Sequence, residues 1–274
     1  ADPAKGKWSA GAEVPGLADF LEAHRGELEG DRPFFYIQHA HPMGTCYGPW
    51  AWGHDDGRST TALSRFPNAV AFSGHSHYTL MDPRTVWQGA FTSVGCSSLR
   101  YLTENYDEFP PDGFENGGAS GPCDTKGRVM PDFRRWDRKE GRQGLLVRVY
   151  SDRMELVRRD FSDGVSLGPD WVMPFNGSKP FAPESWGAGS CPPQFPAGAR
   201  LQMRALTAQD RRDETVSALE LSFPAAVSGG RVHHYDVYDD KGERLARILS
   251  EDYFKASNCK NGTVTCRVRG KSSE

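Results

Sequence analysis

The sequence predicts an α/β unit followed by a small all-β module, and three observations carry that reading. Twice in the first eighty residues a helical stretch is followed by a short apolar run that ends at a histidine. After His77 the texture changes to short alternating segments, and the last quarter is a series of strand-like runs separated by turn residues. Helix followed by apolar strand is the pattern of α/β folds, whereas evenly spaced short strands point to a sandwich.

Residues 15–28 are expected to form the first helix. Pro15 suits its first turn, and Leu17, Phe20, Leu21, His24 and Leu28 share one face at helical spacing. Gly30-Asp-Arg-Pro33 breaks it, and the run from Pro33 to His39 reads as a buried strand. Ser59 to Phe66 is a second short helix, with Ser59 as its cap and Pro67 as its stop. Ala69 to Ser73 is the next strand, and Gly74-His75-Ser76-His77 follows at its C-terminal end. Open α/β sheets place ligands at such strand ends.

Thr85 to Val94 reads as a strand pair interrupted at Gln88-Gly89, and residues 103–142 as a long surface loop rich in Gly, Pro and Asp. Gly144–Tyr150 and Arg153–Phe161 flank Ser151-Asp152 and predict a β-hairpin with alternating faces. Residues 162–198 are rich in Gly, Pro and Ser and read as linker-like. Beyond them Leu201–Leu206, Ala218–Phe223, Val232–Tyr238, Arg244–Leu249 and Thr263–Arg269 are strand candidates. The domain division that follows is 1–175, a linker over 176–198, and a β domain over 199–274 that resembles a fibronectin type III module, with its last strand close to the end of the chain.

Composition sets outer limits. The chain has 274 residues, enough for one domain of about 180–200 residues and a smaller one. It is 37% hydrophobic and 25% charged with a net charge of −3, which argues against disorder and against a broad polyanion-binding surface. No apolar run reaches the length of a membrane span. The start at Ala1-Asp2-Pro3, without Met or an apolar leader core, is expected to be a processing boundary. The 6 cysteines form no Cys-x-x-Cys pair, which argues against a zinc knuckle. Asn176-Gly-Ser and Asn261-Gly-Thr are glycosylation acceptors in form, and Cys259 and Cys266 flank a turn across which a bridge is conceivable. A secreted or periplasmic location is the expectation that follows.

Five of the 8 histidines (His39, His41, His54, His75 and His77) fall within 39 residues, where chance would place about one. Imidazole is the commonest neutral metal ligand. Two histidines one residue apart on a Gly-led turn can splay toward adjacent ions, and glycine lets the backbone come close to the site. A lone His-x-His is more often a pair of hydrogen-bonded loop residues; a second histidine pair at another strand end favours the metal reading.

Ala71-Phe-Ser-Gly-His-Ser-His77 resembles the last signature of calcineurin-like metallophosphoesterases, and Tyr36-Ile-Gln-His-Ala-His-Pro42 resembles the signature before it. The hairpin over 143–161 and Gly168-Pro-Asp-Trp171 are similar to the strands that close that fold. The resemblance covers roughly residues 15–175 and implies the C-terminal part of an αββα sandwich, with metal-dependent hydrolysis of phosphate esters as its activity. By position, His75 would serve one ion and His77 the other, with His39 joining His75. The usual histidine lies one residue from the proline, whereas His39 stands two residues away and His41 none. His39, at the strand end, is preferred as the ligand, and His41 would face the substrate phosphate. The cofactors implied for the complete protein are two divalent or trivalent transition metal ions (Zn, Mn or Fe). Such ions, about 3.5–4 Å apart, activate a bridging water and clamp phosphoryl oxygens.

The sequence departs from the family in one large respect. Asp-x-His, Gly-Asp-x-x-Asp and Gly-Asn-His-Asp/Glu, expected before the His39 motif, do not occur in it. Gly53-His-Asp-Asp56 superficially resembles the third, but it has no Asn and follows His39. The expectation is that the carboxylate-bearing N-terminal half lies elsewhere in a longer parent chain or in another polypeptide. The rival expectation is a catalytically inactive binding module on the same scaffold, and metal content discriminates the two.

Tyr47, Trp50, Trp52 and His54 either line a substrate cleft or form a packed aromatic cluster. Around Ser120 the serine-hydrolase elbow fails, because Pro122 replaces the second glycine. His233-His234 reads as a solvated strand segment.

Overall fold

A computed structural model describes residues 16–48, 53–103, 141–175, 193–206, 218–227, 232–250 and 262–269. The described residues divide into two compact units, one reaching Thr103 and resuming over 141–175, the other beginning at residue 193. The loop expected over 103–142 lies almost wholly outside the described residues. So do Pro15, Trp50, Trp52, Ser120, Cys259 and the two acceptor asparagines, Asn176 and Asn261.

The first unit is sheet-rich with few helices. Helix α1 (Leu17–Ala23) starts after Gly16, and a four-residue turn of helix, α2 (Arg25–Leu28), follows a break at His24. The predicted single helix is therefore two pieces. Gly26, among the poorest helix formers, sits just past the break and weakens the continuation. Only Leu17 and Leu21 of the predicted apolar face are buried; Phe20 is exposed and lies against the His24 ring instead.

The central sheet has the order β1-β2-β4-β3: β1 (Phe34–Ile37), β2 (Ala69–Ser73) and β4 (Thr92–Gly95) are parallel, and β3 (Val86–Gln88) runs antiparallel to β4. Strand alternation decides what each face packs against. Ala69, Ala71, Phe34 and Tyr36 join Leu17 and Leu21 of α1 and Ala62 and Leu63 of α3 (Arg58–Leu63) in one core. Val70, Phe72 and Val94 point the other way, into a second core with Met154, Leu156, Trp171 and Met173. Those last residues belong to an antiparallel sheet of β5 (Gln143–Val149), β6 (Arg153–Asp160), β7 (Val165–Ser166) and β8 (Trp171–Pro174). The unit is thus layered as helices, mixed sheet and antiparallel sheet, and β7 and β8 occupy part of the stretch that composition marks as linker-like.

Strand β2 is buried throughout, as a central parallel strand must be. Strand β1 is not: Phe35 is 43% and Ile37 75% exposed. Among the described residues the run predicted to be a buried strand pairs with β2 alone, and its helix-side residues are the better covered. Helix α3 is also capped differently from the prediction. Ser59 lies inside the helix and donates to Asp55, while the Asp55 and Asp56 carboxylates accept the Gly57 and Arg58 amides.

The second unit holds β9 (Gln202–Ala205), β10 (Ala218–Pro224), β11 (His234–Tyr238), β12 (Arg244–Leu249) and β13 (Thr263–Arg269). They form a three-stranded sheet, β13-β10-β9, and a two-stranded one, β11-β12. Leu221, Tyr235, Val237, Ile248, Cys266 and Val268 share one core between them.

Candidate metal centre

Parallel pairing of β1 and β2 carries both histidine motifs to the same end of the sheet. The ladder continues past β1, because the Gln38 amide donates to the Phe72 carbonyl at 3.1 Å. The His39 carbonyl then accepts from the Gly74 amide at 3.1 Å and the His75 amide at 2.9 Å. The two turns are thereby tied backbone to backbone, and the rings that leave them meet: His75 Nδ1 lies 2.7 Å from His39 Nε2. His77 takes a left-handed φ of 57°, uncommon for a residue with a side chain, and its ring centroid stands 4.5 Å from that of Tyr101. Its Nδ1 is buried without a hydrogen-bond partner.

Burial, with His39 adding to it, holds His75 below the usual imidazole range; burial followed by His75 and His39 does the same to His77. Both rings are therefore neutral near pH 7, the form that donates to a metal.

His41 is placed differently. It is 0% exposed, with Nδ1 2.5 Å from Ser73 Oγ and Nε2 2.7 Å from Ser76 Oγ. The role of facing a substrate phosphate does not fit this position, since burial keeps the ring from solvent and both nitrogens are engaged. His54 donates from Nε2 to the Cys46 carbonyl at 2.9 Å, and its backbone bridges to His41. Tyr47 is buried against Tyr78 and hydrogen-bonds Thr85 Oγ1 at 2.9 Å, so it belongs to a packed cluster and not to a cleft wall.

The loop between the motifs is organised by Asp55. Its buried carboxylate accepts from the Met43 amide at 2.9 Å, the Gly57 amide at 2.9 Å and Gln38 Nε2 at 3.0 Å, as well as from Ser59 Oγ. Gly53 closes the loop over the site with φ +97°, and a Cβ there would stand 3.2 Å from the Ser76 amide and 3.3 Å from the His75 ring. Gly53→Ala is expected to cost about 1–3 kcal/mol through backbone strain alone and to displace the His75 ring. Thermal denaturation and the His75 side-chain NMR shifts measure both effects. A variant as stable as the parent with an unmoved ring would contradict this close approach.

His41 also predicts an acid response. Burial, reinforced by His54, His75 and His39, pushes its pKa down to about 3. An unfolded histidine titrates near 6.5, so the unfolded chain takes up the proton first and stability falls as pH drops from 6.5 toward 3. At pH 5 the loss from this ring is about 2 kcal/mol. Urea unfolding between pH 7.5 and 5 should show His41→Phe losing that much less than the parent; equal losses would exclude the ring as the cause.

The donor set would suit one transition ion shared by His39 and His75 once their nitrogens, hydrogen-bonded at 2.7 Å, part to the roughly 3.4 Å that tetrahedral coordination sets, and the orphaned Nδ1 of His77 would suit a further ligand role. It does not by itself fit a binuclear centre. Among the described residues no three His, Cys, Asp or Glu side chains converge as a metal-holding group. Also among them, no helix is long and apolar enough to cross a membrane.

Ser73, Ser76, Asp55 and Gly53 were not singled out from sequence. Only Ser76 had a legible signal, since a residue between two outward histidines must point inward. No protein family, curated protein or solved structure matches this chain.

Proposed function

We propose that the first unit carries the histidine half of a binuclear metallophosphoesterase centre and that the complete protein hydrolyses phosphate esters. The observation that carries this reading is the meeting of His39 Nε2 and His75 Nδ1 at 2.7 Å, at the C-terminal ends of two neighbouring parallel strands. His39 and His75 would hold one ion and His77 would contribute to the other, while the carboxylate ligands come from polypeptide outside this sequence. Bound there, transition ions supply an activated water and Lewis-acid polarisation of the phosphoryl group.

The chain's own residues orient and desolvate. The His39 carbonyl fixes the backbone of the Gly74 turn, and Gly53 brings the covering loop against the His75 ring. The layering of helices, mixed sheet and antiparallel sheet supports an αββα sandwich through three of its four layers. Four strands of the second unit, β10 to β13, share one core, with the exposed β9 added beside β10, and this arrangement supports a sandwich module of the fibronectin type III kind.

The test is metal uptake by this chain, then turnover of a chromogenic phosphomonoester and phosphodiester by the protein that includes the carboxylate-bearing half. Absence of zinc, manganese or cobalt binding in the parent would sink the reading and favour a binding module.

A further inference from the structure

We propose that His41 is a positioning residue: its imidazole bridges Ser73 and Ser76 and thereby fixes the direction in which His75 and His77 leave the turn. The inference rests on the metal-centre reading for its purpose, but its geometry is independent of any ion.

The bridge spans the turn. Ser73 is the last residue of β2, and Ser76 lies between the two candidate ligands; the His41 ring touches the first through Nδ1 at 2.5 Å and the second through Nε2 at 2.7 Å. A neutral imidazole has one donor and one acceptor nitrogen, so one serine hydroxyl accepts from it and the other donates to it. Both bonds are made away from water, where leaving either partner unpaired is costly.

The consequence is directional. With Ser76 drawn inward onto His41, its neighbours on either side are turned outward. The rest of the turn is held by backbone: the His39 carbonyl takes the Gly74 and His75 amides, the Gly74 carbonyl takes the His77 amide, and the His77 carbonyl takes the Thr103 amide at 3.0 Å. Those bonds set the path of the chain. The ring of His41 sets which way the side chain at its centre points.

His41 is itself pinned. Its amide donates to the Gly53 carbonyl at 2.8 Å, and its carbonyl accepts from the Asp55 amide at 2.8 Å. The ring that braces one loop is thus anchored in the other, and partners outside a metal's own ligands commonly govern ligand orientation in this way.

The test uses the whole chain and two readouts. Amide hydrogen exchange at Gly74, His75, Ser76 and His77, measured without added metal, reports the brace. Cobalt affinity and its visible ligand-field spectrum report the ligands. His41→Phe, which keeps the ring volume, should speed exchange across the turn, alter the cobalt spectrum and weaken cobalt about 10–100-fold. Ser76→Ala should reproduce most of that change, and the double variant should add little. His41→Gln, which restores one donor and one acceptor, should recover part of it. If His41→Phe folds poorly, Ser76→Ala carries the test alone. Unchanged exchange and affinity in either folded variant, or losses that simply add, would overturn the proposal. A parent chain that takes up no cobalt while His41→Phe still loosens the turn would refute the metal reading and sustain the brace.

Discussion

His75→Ala is expected to weaken binding of zinc or cobalt to this chain by more than about 100-fold, beyond the 10–100-fold that outer partners of a metal site usually carry. The reason is that His75 donates the nitrogen that meets His39 Nε2 at 2.7 Å, so its removal leaves a single imidazole at that point. Folding should survive, because His75 is half-buried on a turn and lies outside both cores of the first unit. Proton competition for this ring should also set in at lower pH than for an ordinary imidazole. Burial and His39 keep the His75 proton affinity below the usual imidazole range, so protons compete for the ring only at lower pH. Titration calorimetry with a circular-dichroism control measures this. In the protein bearing the carboxylate half, the same substitution should abolish turnover of both chromogenic esters. A folded His75→Ala chain with parental metal affinity would remove His75 from the centre.

Trp171→Ala should be the most damaging single core change, at about 5 kcal/mol. Trp171 is 0% exposed at the start of β8, and truncation of a buried aromatic costs about 3–5 kcal/mol. A second loss falls on Arg158, whose guanidinium carbon lies 4.0 Å from the indole centroid. Arg158 is buried, and donates to the Leu80 carbonyl at 3.0 Å and the Pro169 carbonyl at 2.9 Å. Losing the ring beneath it removes a desolvated cation–π contact of about 2 kcal/mol. Gly168 belongs to the same arrangement, since a Cβ there would stand 3.0 Å from the Arg158 guanidinium. Trp171→Phe keeps an aromatic face and should lose roughly half as much. Urea denaturation decides: a Trp171→Ala loss within about 0.5 kcal/mol, as for surface changes, would contradict this account.

The strands were more legible than the helices. Ala69 to Ser73 was predicted with the bounds observed, because an unbroken apolar run between a Pro-containing turn and a glycine has few alternatives. The hairpin of β5 and β6 was equally clear from its alternation around Ser151-Asp152. The first helix was overextended because periodicity registers apolar spacing and not the weakness introduced by Gly26. The exposure of Phe35 and Ile37 was hidden for another reason: an apolar run does not announce whether its strand is central or at an edge.

At the site, the pairing of His39 with His75 follows from two histidines ending adjacent strands. The division of labour between His39 and His41 does not. Both are polar, both lie near Pro42, and only the depth of the Ser73 and Ser76 hydroxyls separates them. Asp55, met in the sequence only within the rejected Gly53-His-Asp-Asp56 likeness, gave no sign of this role, because its partners are the Met43 and Gly57 amides and the Gln38 and Ser59 side chains, brought together by the fold.

Strand β1 has a consequence for handling the protein. Phe34-Phe35-Tyr36-Ile37 carries no charge and no proline, and among the described residues it pairs on one side alone. Natural edge strands are commonly blunted by lysine, proline or a bulge, and this one is not. An apolar, uncharged strand in that position is a surface to which another extended chain can add, so colloidal behaviour at high concentration turns on residues that take no part in the chemistry.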